Sequence, residues 1–144
     1  MKVSLILKNK GSNEVATIAP DRTVADAVSV LSDRRIGALV VVDASEAVQG
    51  ILSERDIVRN LGSQGPSSLN RHVHELMTEA VESCVGDDTA IDVLGRMTQG
   101  RFRHMPVMGS AGKMIGILSI GDVVKARLEE IEAENAAMAD MLSG

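Results

Sequence analysis

The residues with the most distinctive chemistry are a serine and an aspartate that occur together twice in the chain. Ser53 and Asp56 stand in the heptapeptide GILSERD, and Ser119 and Asp122 stand in GILSIGD. A serine at a helix N-terminus leaves its hydroxyl and free backbone N–H groups facing outward, where the helix dipole favours an anion such as a phosphate. A carboxylate one turn later can accept hydrogen bonds from two adjacent hydroxyls, such as a ribose diol. Phosphate and ribose together predict a nucleotide.

Serine and aspartate at these positions also have a purely structural use. Both residue types are preferred at the N-cap and in the first turn of helices, where they satisfy backbone N–H groups that have no partner inside the helix. The sequence therefore leaves two interpretations open. One is a nucleotide site, and the other is a ligand-independent structural or protein-interaction module.

A phosphate also needs cationic partners, and the two motifs differ in those that they offer. Arg55 lies inside the first motif, whereas the same position of the second motif is Gly121. Arg103 and His104 lie at the start of a predicted strand in the second half, where the first half has small residues. We predict Arg55, Arg103 and His104 as phosphate partners, and two sites of unequal preference.

The two motifs belong to a longer internal duplication. The serines and the aspartates are separated by the same number of residues, because 119 − 53 and 122 − 56 both equal 66. The same offset aligns Asp21 with Asp87 and Thr23 with Thr89. An offset that needs no gap indicates that this 144-residue chain is two similar halves sharing one core.

Each half is predicted as strand, helix, strand, strand and helix, which gives an α/β (α+β) fold with helices covering a sheet. The elements of the first half are expected at residues 15–18, 23–34, 38–42, 48–52 and 54–61. Those of the second half are expected at residues 81–85, 89–100, 104–108 and 114–118, with the last helix beginning at Ser119.

The flanking and connecting segments complete the predicted organisation. Residues 3–7 have the composition of a strand, residues 8–13 that of a turn, and residues 69–77 that of a short helical turn. Residues 62–68, rich in Gly, Ser and Pro, are predicted as the linker that divides the copies. The predicted domains are a first repeat with an N-terminal strand at 1–68, a second repeat at 69–127 and a C-terminal helical extension at 128–144.

The C-terminal extension has two interpretations. The helix has an apolar side among its glutamates, and such a helix usually packs on a neighbour; the apolar residues are Leu128, Ile131, Met138, Met141 and Leu142. The alternative is a solvated tail that frays, as terminal segments often do.

Together these features resemble a known family. The pattern Gly-aliphatic-aliphatic-Ser-x-x-Asp after a strand, with Thr-x-x-Asp-Ala opening a helix upstream, resembles the cystathionine-β-synthase (CBS) domain. Two copies resemble the tandem pair called a Bateman module, and the resemblance covers residues 13–127. It implies a pseudo-symmetric pair with two clefts in which backbone groups of the strands hold the nucleobase. Beyond the motif residues, the implied ligand-binding residues are Thr17, Ile18, Ile36, Gly37 and Ala38 in the first repeat, and Ser83, Cys84, Val85, Arg103, His104, Met105 and Pro106 in the second.

The resemblance also implies what the protein does. The ligand would be an adenine nucleotide, with AMP as first choice and ATP, ADP and NAD(H) next, and the protein would be a sensor that regulates a partner protein. It also implies a homodimer of two pairs. S-adenosylmethionine and RNA are further possible ligands. An enzyme acting on nucleotides is a rival, but the sequence has no Ser-His-Asp or Cys-His arrangement and no Walker-type loop, so we predict no catalytic activity.

Composition excludes several other classes. A net charge of −5 and the absence of Trp and Tyr argue against a nucleic-acid surface, which needs clustered cations and stacking rings. The single cysteine, Cys84, cannot form an internal disulfide and is expected to be inert core. No apolar run approaches the ~20 residues of a membrane helix, so we expect a cytoplasmic protein. A surface helix explains His72, His74 and Glu75 more simply than a metal site does, and no metal is predicted.

Overall fold

The computed structural model describes residues 1–11 and 14–143 of the chain. Part of the turn predicted at residues 8–13 therefore lies outside the described residues. The helices are α1 (Val3–Asn9), α2 (Val24–Arg34), α3 (Glu54–Gln64), α4 (Val73–Leu76), α5 (Ala90–Gly100) and α6 (Ile120–Ser143). The strands are β1 (Thr17–Ile18), β2 (Ala38–Val42), β3 (Val48–Ser53), β4 (Cys84–Val85), β5 (His104–Met108) and β6 (Met114–Ser119).

The chain forms two compact units, each built around a three-stranded sheet. One unit is Val15–Val81, and the other combines Met1–Glu14 with Glu82–Gly144. The strand order is β1-β2-β3 in the first sheet and β4-β5-β6 in the second. In each sheet the central strand pairs in parallel with the first strand and antiparallel with the last. The predicted α/β class and the repeated order of elements are therefore confirmed.

Both sheets pack their helices through aliphatic side chains. Leu39, Leu52 and Val24 are fully buried in the first unit, and Met105 and Leu118 are fully buried in the second. The helices that cover these cores begin after threonine caps, because Thr23 and Thr89 each accept a hydrogen bond from the N–H of an aspartate three residues later. The duplicated sequence positions therefore define duplicated helix starts.

The predicted N-terminal strand at residues 3–7 is wrong. This segment is helix α1, in which Val3, Ile6 and Leu7 are buried at helical spacing while Leu5 is exposed. A short run of four aliphatic residues in five cannot distinguish a strand from a buried helix by periodicity alone. Helix α1 also packs in the unit of the second repeat, although it precedes the first repeat in the chain.

The segment predicted as the linker is instead mostly helical. Helix α3 continues through Gly62 and Ser63 to Gln64, and Gly65 ends it with a positive φ of 77°. A 3₁₀ turn (Pro66–Asn70) and α4 then pack onto the first unit, where Val73 is fully buried. The two compact units meet in sequence at residues 81 and 82 rather than near residue 68.

Two leading segments, residues 1–11 before the first repeat and residues 69–78 before the second, are exchanged between the units. Backbone N–H of Val3 donates to the carbonyl oxygen of Asp88 at 2.8 Å, and N–H of Val73 donates to that of Arg22 at the same distance. Arg22 and Asp88 occupy equivalent positions, since 88 − 22 is 66. Each leading segment therefore packs in the unit of the other repeat.

Among the helices of residues 1–11 and 14–143, none combines the length and apolarity that a membrane span requires.

Candidate functional site

The first motif forms a reciprocal cap at the end of β3. Ser53 is the N-cap of α3, and its hydroxyl oxygen accepts a hydrogen bond from the N–H of Asp56 at 3.3 Å. In return, Oδ2 of Asp56 accepts bonds from the N–H and from the hydroxyl of Ser53, both at 2.9 Å. The structural use of Ser53 and Asp56 is therefore present, and a ligand could use only what this capping box leaves available.

The other carboxylate oxygen of Asp56 is held much less firmly. Oδ1 accepts only a long hydrogen bond of 3.4 Å from the hydroxyl of Thr78, against about 2.7 Å for a typical O–H···O bond. Asp56 is partly exposed at the N-terminus of an 11-residue helix. Oδ1 can therefore take a hydrogen bond from an incoming hydroxyl without disturbing the cap.

The second motif repeats the cap but adds a cation. Oδ2 of Asp122 accepts the N–H of Ser119 at 2.8 Å, and the hydroxyl of Ser119 accepts the N–H of Asp122 at 3.1 Å. Nζ of Lys10 lies 2.9 Å from the same Oδ2 and donates to the carbonyl oxygen of Ile117 at 2.9 Å. Burial raises the pKa of Asp122, but the Ser119 N–H and the Lys10 ammonium outweigh it, and the pKa lies below its ordinary value.

The glycine that opens each motif lies beneath a leading segment. A Cβ at Gly50 would lie 2.6 Å from the carbonyl oxygen of Thr78 and 2.9 Å from the sulfur of Met77. A Cβ at Gly116 would lie 2.8 Å from Cδ2 of Leu7. The crowding at both glycines therefore comes from the protein's own segments.

In the first unit the structure brings some of the predicted residues close to the motif and leaves others further away. Ala38 pairs with Ser53 across the sheet, and the carbonyl oxygen of Gly37 accepts the N–H of Glu54 at 2.9 Å. Thr17, which is exposed, pairs instead with Val40, two residues and so about 7 Å further along β2. Of the other two residues, Ile18 is buried in the core and Ile36 packs partly buried against it.

The second unit repeats this arrangement. His104 pairs with Ser119, and the carbonyl oxygen of Arg103 accepts the N–H of Ile120 at 2.8 Å. The side chains of Cys84, Met105 and Pro106 are buried, so only their backbone could meet a ligand. Burial, with Asp88 nearby, raises the pKa of the Cys84 thiol to about 11.

Residues 83 and 85 are held by local polar contacts in the same unit. The carbonyl oxygen of Ser83 accepts a hydrogen bond from Arg96 at 2.7 Å, and the N–H of Val85 donates to the Asp88 carboxylate at 2.9 Å. Both backbone groups are therefore already used, which limits what these two residues can offer a ligand.

The predicted arginines are available as anion partners. Arg55 and Arg103 are exposed, and neither forms an ion pair within residues 1–11 and 14–143. His104 is partly buried.

A cleft of about 270 Å³ in the second unit lies between α1 and α6. It is lined by Met1, Ile6, Asn9, Lys10, Asp122, Lys125, Ala126 and Glu129.

Sequence reasoning missed Lys10 and Thr78, which contact the motif aspartates from outside the motifs. Both residues belong to the leading segments. These two segments align with each other at an offset of 70 residues rather than 66, since 73 − 3 and 77 − 7 both equal 70. Val3 matches Val73 and Leu7 matches Met77 at this offset. A search for the repeat that allowed a gap of four residues could have found the segments, but not their exchange between units.

Within the part that the structure describes, no group of three or more His, Cys, Asp or Glu side chains is placed to hold a metal ion. The rings of His72 and His74 are stacked, with centroids 5.6 Å apart.

Comparison with known proteins matches the CBS domain model to residues 11–63 and 73–129. The chain is 37% identical over 139 residues to the CBS domain-containing protein CBSX3, mitochondrial, of Arabidopsis thaliana, covering 92% of this chain and 67% of that protein. It is 43% identical to a CBS-domain containing protein of Agrobacterium tumefaciens, whose structure superposes with a TM-score of 0.83 and covers 88% of this chain and 92% of that one.

A more distant structure shares the fold. It is a CBS domain pair in complex with 5′-methylthioadenosine and S-adenosyl-L-methionine, 22% identical, with a TM-score of 0.78 and coverage of 90% of this chain and 98% of that one. Two matched segments, two sheets of one topology and two capped Ser-x-x-Asp motifs agree with one another. The chain belongs to the CBS domain family and carries two tandem copies of that domain, a module known for regulatory roles.

Proposed function

We propose that this CBS pair binds an adenine nucleotide and acts as a regulatory sensor without catalytic activity. AMP is the first choice, and ATP, ADP and NAD(H) follow. The observation that carries the proposal is the Asp56 carboxylate, whose Oδ1 holds only a 3.4 Å contact at the N-terminus of α3. A carboxylate in this state can accept a ribose hydroxyl while its other oxygen keeps the cap intact.

The residues around Asp56 fit the remaining parts of a nucleotide. Arg55, in the first turn of α3, is exposed and forms no ion pair with any residue that the structure describes. Its guanidinium and the helix N-terminus both favour a phosphate. Backbone groups near Gly37 and Ala38 are expected to contact the base, and residues 15–16 lie closer to them than Thr17 does by the sheet register.

A distant relative supports the adenosine part of the proposal. Both ligands named for the more distant CBS pair contain adenosine, although that protein is only 22% identical to this chain. S-adenosylmethionine and methylthioadenosine therefore belong in any ligand screen, even though neither carries a phosphate for Arg55 to bind.

The two sites are expected to differ in affinity. Asp122 already shares its charge with Lys10 at 2.9 Å, whereas Asp56 accepts hydrogen bonds from neutral groups, the N–H and hydroxyl of Ser53 and the hydroxyl of Thr78. The hydrogen bonds of a ribose diol are stronger to a carboxylate whose charge no neighbouring cation neutralises. We therefore expect the site of the first repeat to fill first.

Regulation would follow from selective binding. A ligand changes the behaviour of a protein only if it binds one conformation better than another. We propose that the nucleotide favours one conformation of a homodimer, as the family resemblance implies, and that a partner protein recognises it.

The main rival is a ligand-independent structural module. The capping boxes and the packed leading segments favour this alternative, because they explain the Gly, Ser and Asp of each motif without a ligand. What they do not explain is the exposed Arg55 beside a weakly bonded carboxylate oxygen.

Binding assays separate the two readings. Native mass spectrometry of the purified protein should show a bound adenosine compound, and AMP, ATP, ADP, NAD(H), S-adenosylmethionine and methylthioadenosine should be screened by thermal shift. The variant Asp56→Asn, which retains a cap acceptor, should lose most of the shift given by the best ligand. Asp92→Asn is the matched control, because Asp92 is the third residue after the N-cap Thr89 of α5 but lies outside both motifs. No shift with any of the six compounds would refute nucleotide binding.

A further inference from the structure

We propose that the C-terminal part of α6 forms a parallel two-stranded coiled coil with α6 of a second copy of this chain. The inference does not rest on nucleotide binding. It rests on an exposed and mostly apolar stripe along α6, which we call the α6 seam: Val124, Leu128, Ile131, Asn135, Met138 and Leu142.

The α6 seam is exposed along its whole length. Leu128 is 56% exposed, Met138 60% and Leu142 85%. Every residue from 131 to 143 is exposed, so none of them belongs to the buried core of the described residues. Thirteen residues span about 20 Å of helix. Isolated helices of that length are marginal in water, and most helical stability in proteins comes from packing an apolar face.

The spacing of the α6 seam is that of a coiled coil. The successive intervals from Val124 to Leu142 are 4, 3, 4, 3 and 4 residues. This alternation places Val124, Ile131 and Met138 at d positions of a heptad, and the other three seam residues at a positions. A heptad pattern is self-complementary, so its natural occupant is an identical helix.

The face of α6 that packs within the unit is a different one. Val123 and Ala126 are buried, and Glu130 pairs with Arg127 at 2.9 Å and with the terminal amine of Met1. At 100° per residue Val123, Ala126 and Glu130 lie more than a quarter turn from the centre of the α6 seam, whereas Arg127 lies about 60° from it, at the seam's edge. The seam can therefore dock a second helix while α6 keeps its place in the unit.

Two features indicate a parallel pair. Asn135 is the single polar residue of the α6 seam and occupies an a position, where a parallel pair places it against Asn135 of the other chain with both amides able to bond. An antiparallel pair would place it against an apolar d residue. The charges also favour the parallel arrangement, because it places Arg127 at a g position opposite Glu132 at an e position of the other chain.

Opposing preferences set the number of strands. Leucine at a with isoleucine at d favours three or four strands, whereas a single asparagine at an a position is a known determinant of register and oligomer state. We assign two strands, since two Asn135 amides can satisfy each other across one twofold axis.

Cysteine crosslinking in the full chain tests the geometry. Leu142→Cys places a thiol at the last a position of the α6 seam. The control Asp140→Cys places a thiol two residues earlier, on the outer face of α6. Both thiols lie in the last turn of the helix, so both are equally free to fray. Mild oxidation should crosslink Leu142→Cys at least ten times faster than Asp140→Cys. Wild type is the control for Cys84, which is buried. Equal rates, or no crosslink in either variant, would overturn the parallel seam.

Association in solution tests the same surface independently. Ile131→Glu should raise the dissociation constant of the dimer at least tenfold in sedimentation experiments, whereas Ala133→Glu on the outer face should not. Both positions are exposed, so the circular dichroism melting of the units should be unchanged. A dissociation constant unaffected by Ile131→Glu, or a wild-type mass of four chains, would overturn the two-stranded assignment.

Discussion

Replacing Lys10 by methionine should destabilise the unit that contains the second repeat. The substitution retains most of the apolar stem but removes the ammonium that contacts Oδ2 of Asp122 and the carbonyl oxygen of Ile117, both at 2.9 Å. The Lys10 and Asp122 side chains are 28% and 24% exposed, which places the pair between a surface and a buried ion pair.

The expected magnitude follows from that intermediate burial. Exposed ion pairs contribute about 0.2–1 kcal/mol, and breaking a buried one costs about 3–5 kcal/mol. We expect Lys10→Met to lower the free energy of unfolding by about 1–2 kcal/mol, because Asp122 keeps its Ser119 hydrogen bond. For a chain of this size that corresponds to a fall in melting temperature of roughly 3–8 °C.

The effect should depend on pH in a defined direction. The folded-state pKa of Asp122 lies below its ordinary value, so its contribution is present above the unfolded pKa of about 4 and is lost as pH falls through the folded value. The difference between wild type and Lys10→Met should therefore be full at pH 6–7 and shrink below pH 4.

Urea unfolding followed by far-ultraviolet circular dichroism measures this difference, since the chain has no Trp or Tyr for fluorescence. Lys8→Met is the matched control, because Lys8 is an exposed lysine in the last turn of α1, and Lys10 is the C-cap of that helix. Equal destabilisation by the two substitutions, or a Lys10→Met effect that is constant from pH 7 to pH 3, would refute the reasoning.

Three further predictions concern the motif surroundings. Gly50→Ala should lower the free energy of unfolding by about 1–3 kcal/mol in calorimetry, because the new Cβ would lie 2.6 Å from a backbone oxygen. The control Gly62→Ala, whose Cβ would lie in open space, should be neutral or stabilising. A neutral Gly50→Ala would contradict the packing described. Thr78→Val should change the free energy of unfolding by less than about 0.5 kcal/mol, since its 3.4 Å bond to Asp56 is weak, and a loss above about 1 kcal/mol would show that Oδ1 is firmly held. Cys84, with its pKa raised to about 11, should resist iodoacetamide at pH 8 until urea unfolds the chain, and rapid labelling of folded protein would contradict its burial.

Local signals in the sequence were enough to predict the repeated part of the fold. The 66-residue offset fixed equivalent positions for Thr23 and Thr89, and both cap helices as their residue type favours. The continuous apolar run at residues 38–42 is typical of a strand covered on both faces, and four of the five residues of β2 are buried. These features depend on neighbours in the chain, which a sequence displays directly.

The features that were missed depend on distant contacts. Helix α1 was predicted as a strand because four aliphatic residues in five give no clear period, and its packing partners lie more than 70 residues away. The ion pair of Lys10 with Asp122 joins residues that only the exchanged leading segments bring together. The candidate site was predicted in part: Ser53 is the N-cap that was expected, and its ligand role stays a prediction.

Calorimetric titration of the protein with AMP tests the central claim most directly. We predict one stronger site per chain in wild type, retained in Asp122→Asn and weakened at least tenfold in Asp56→Asn. Equal AMP binding by wild type and Asp56→Asn, or no heat at millimolar AMP, would contradict the account.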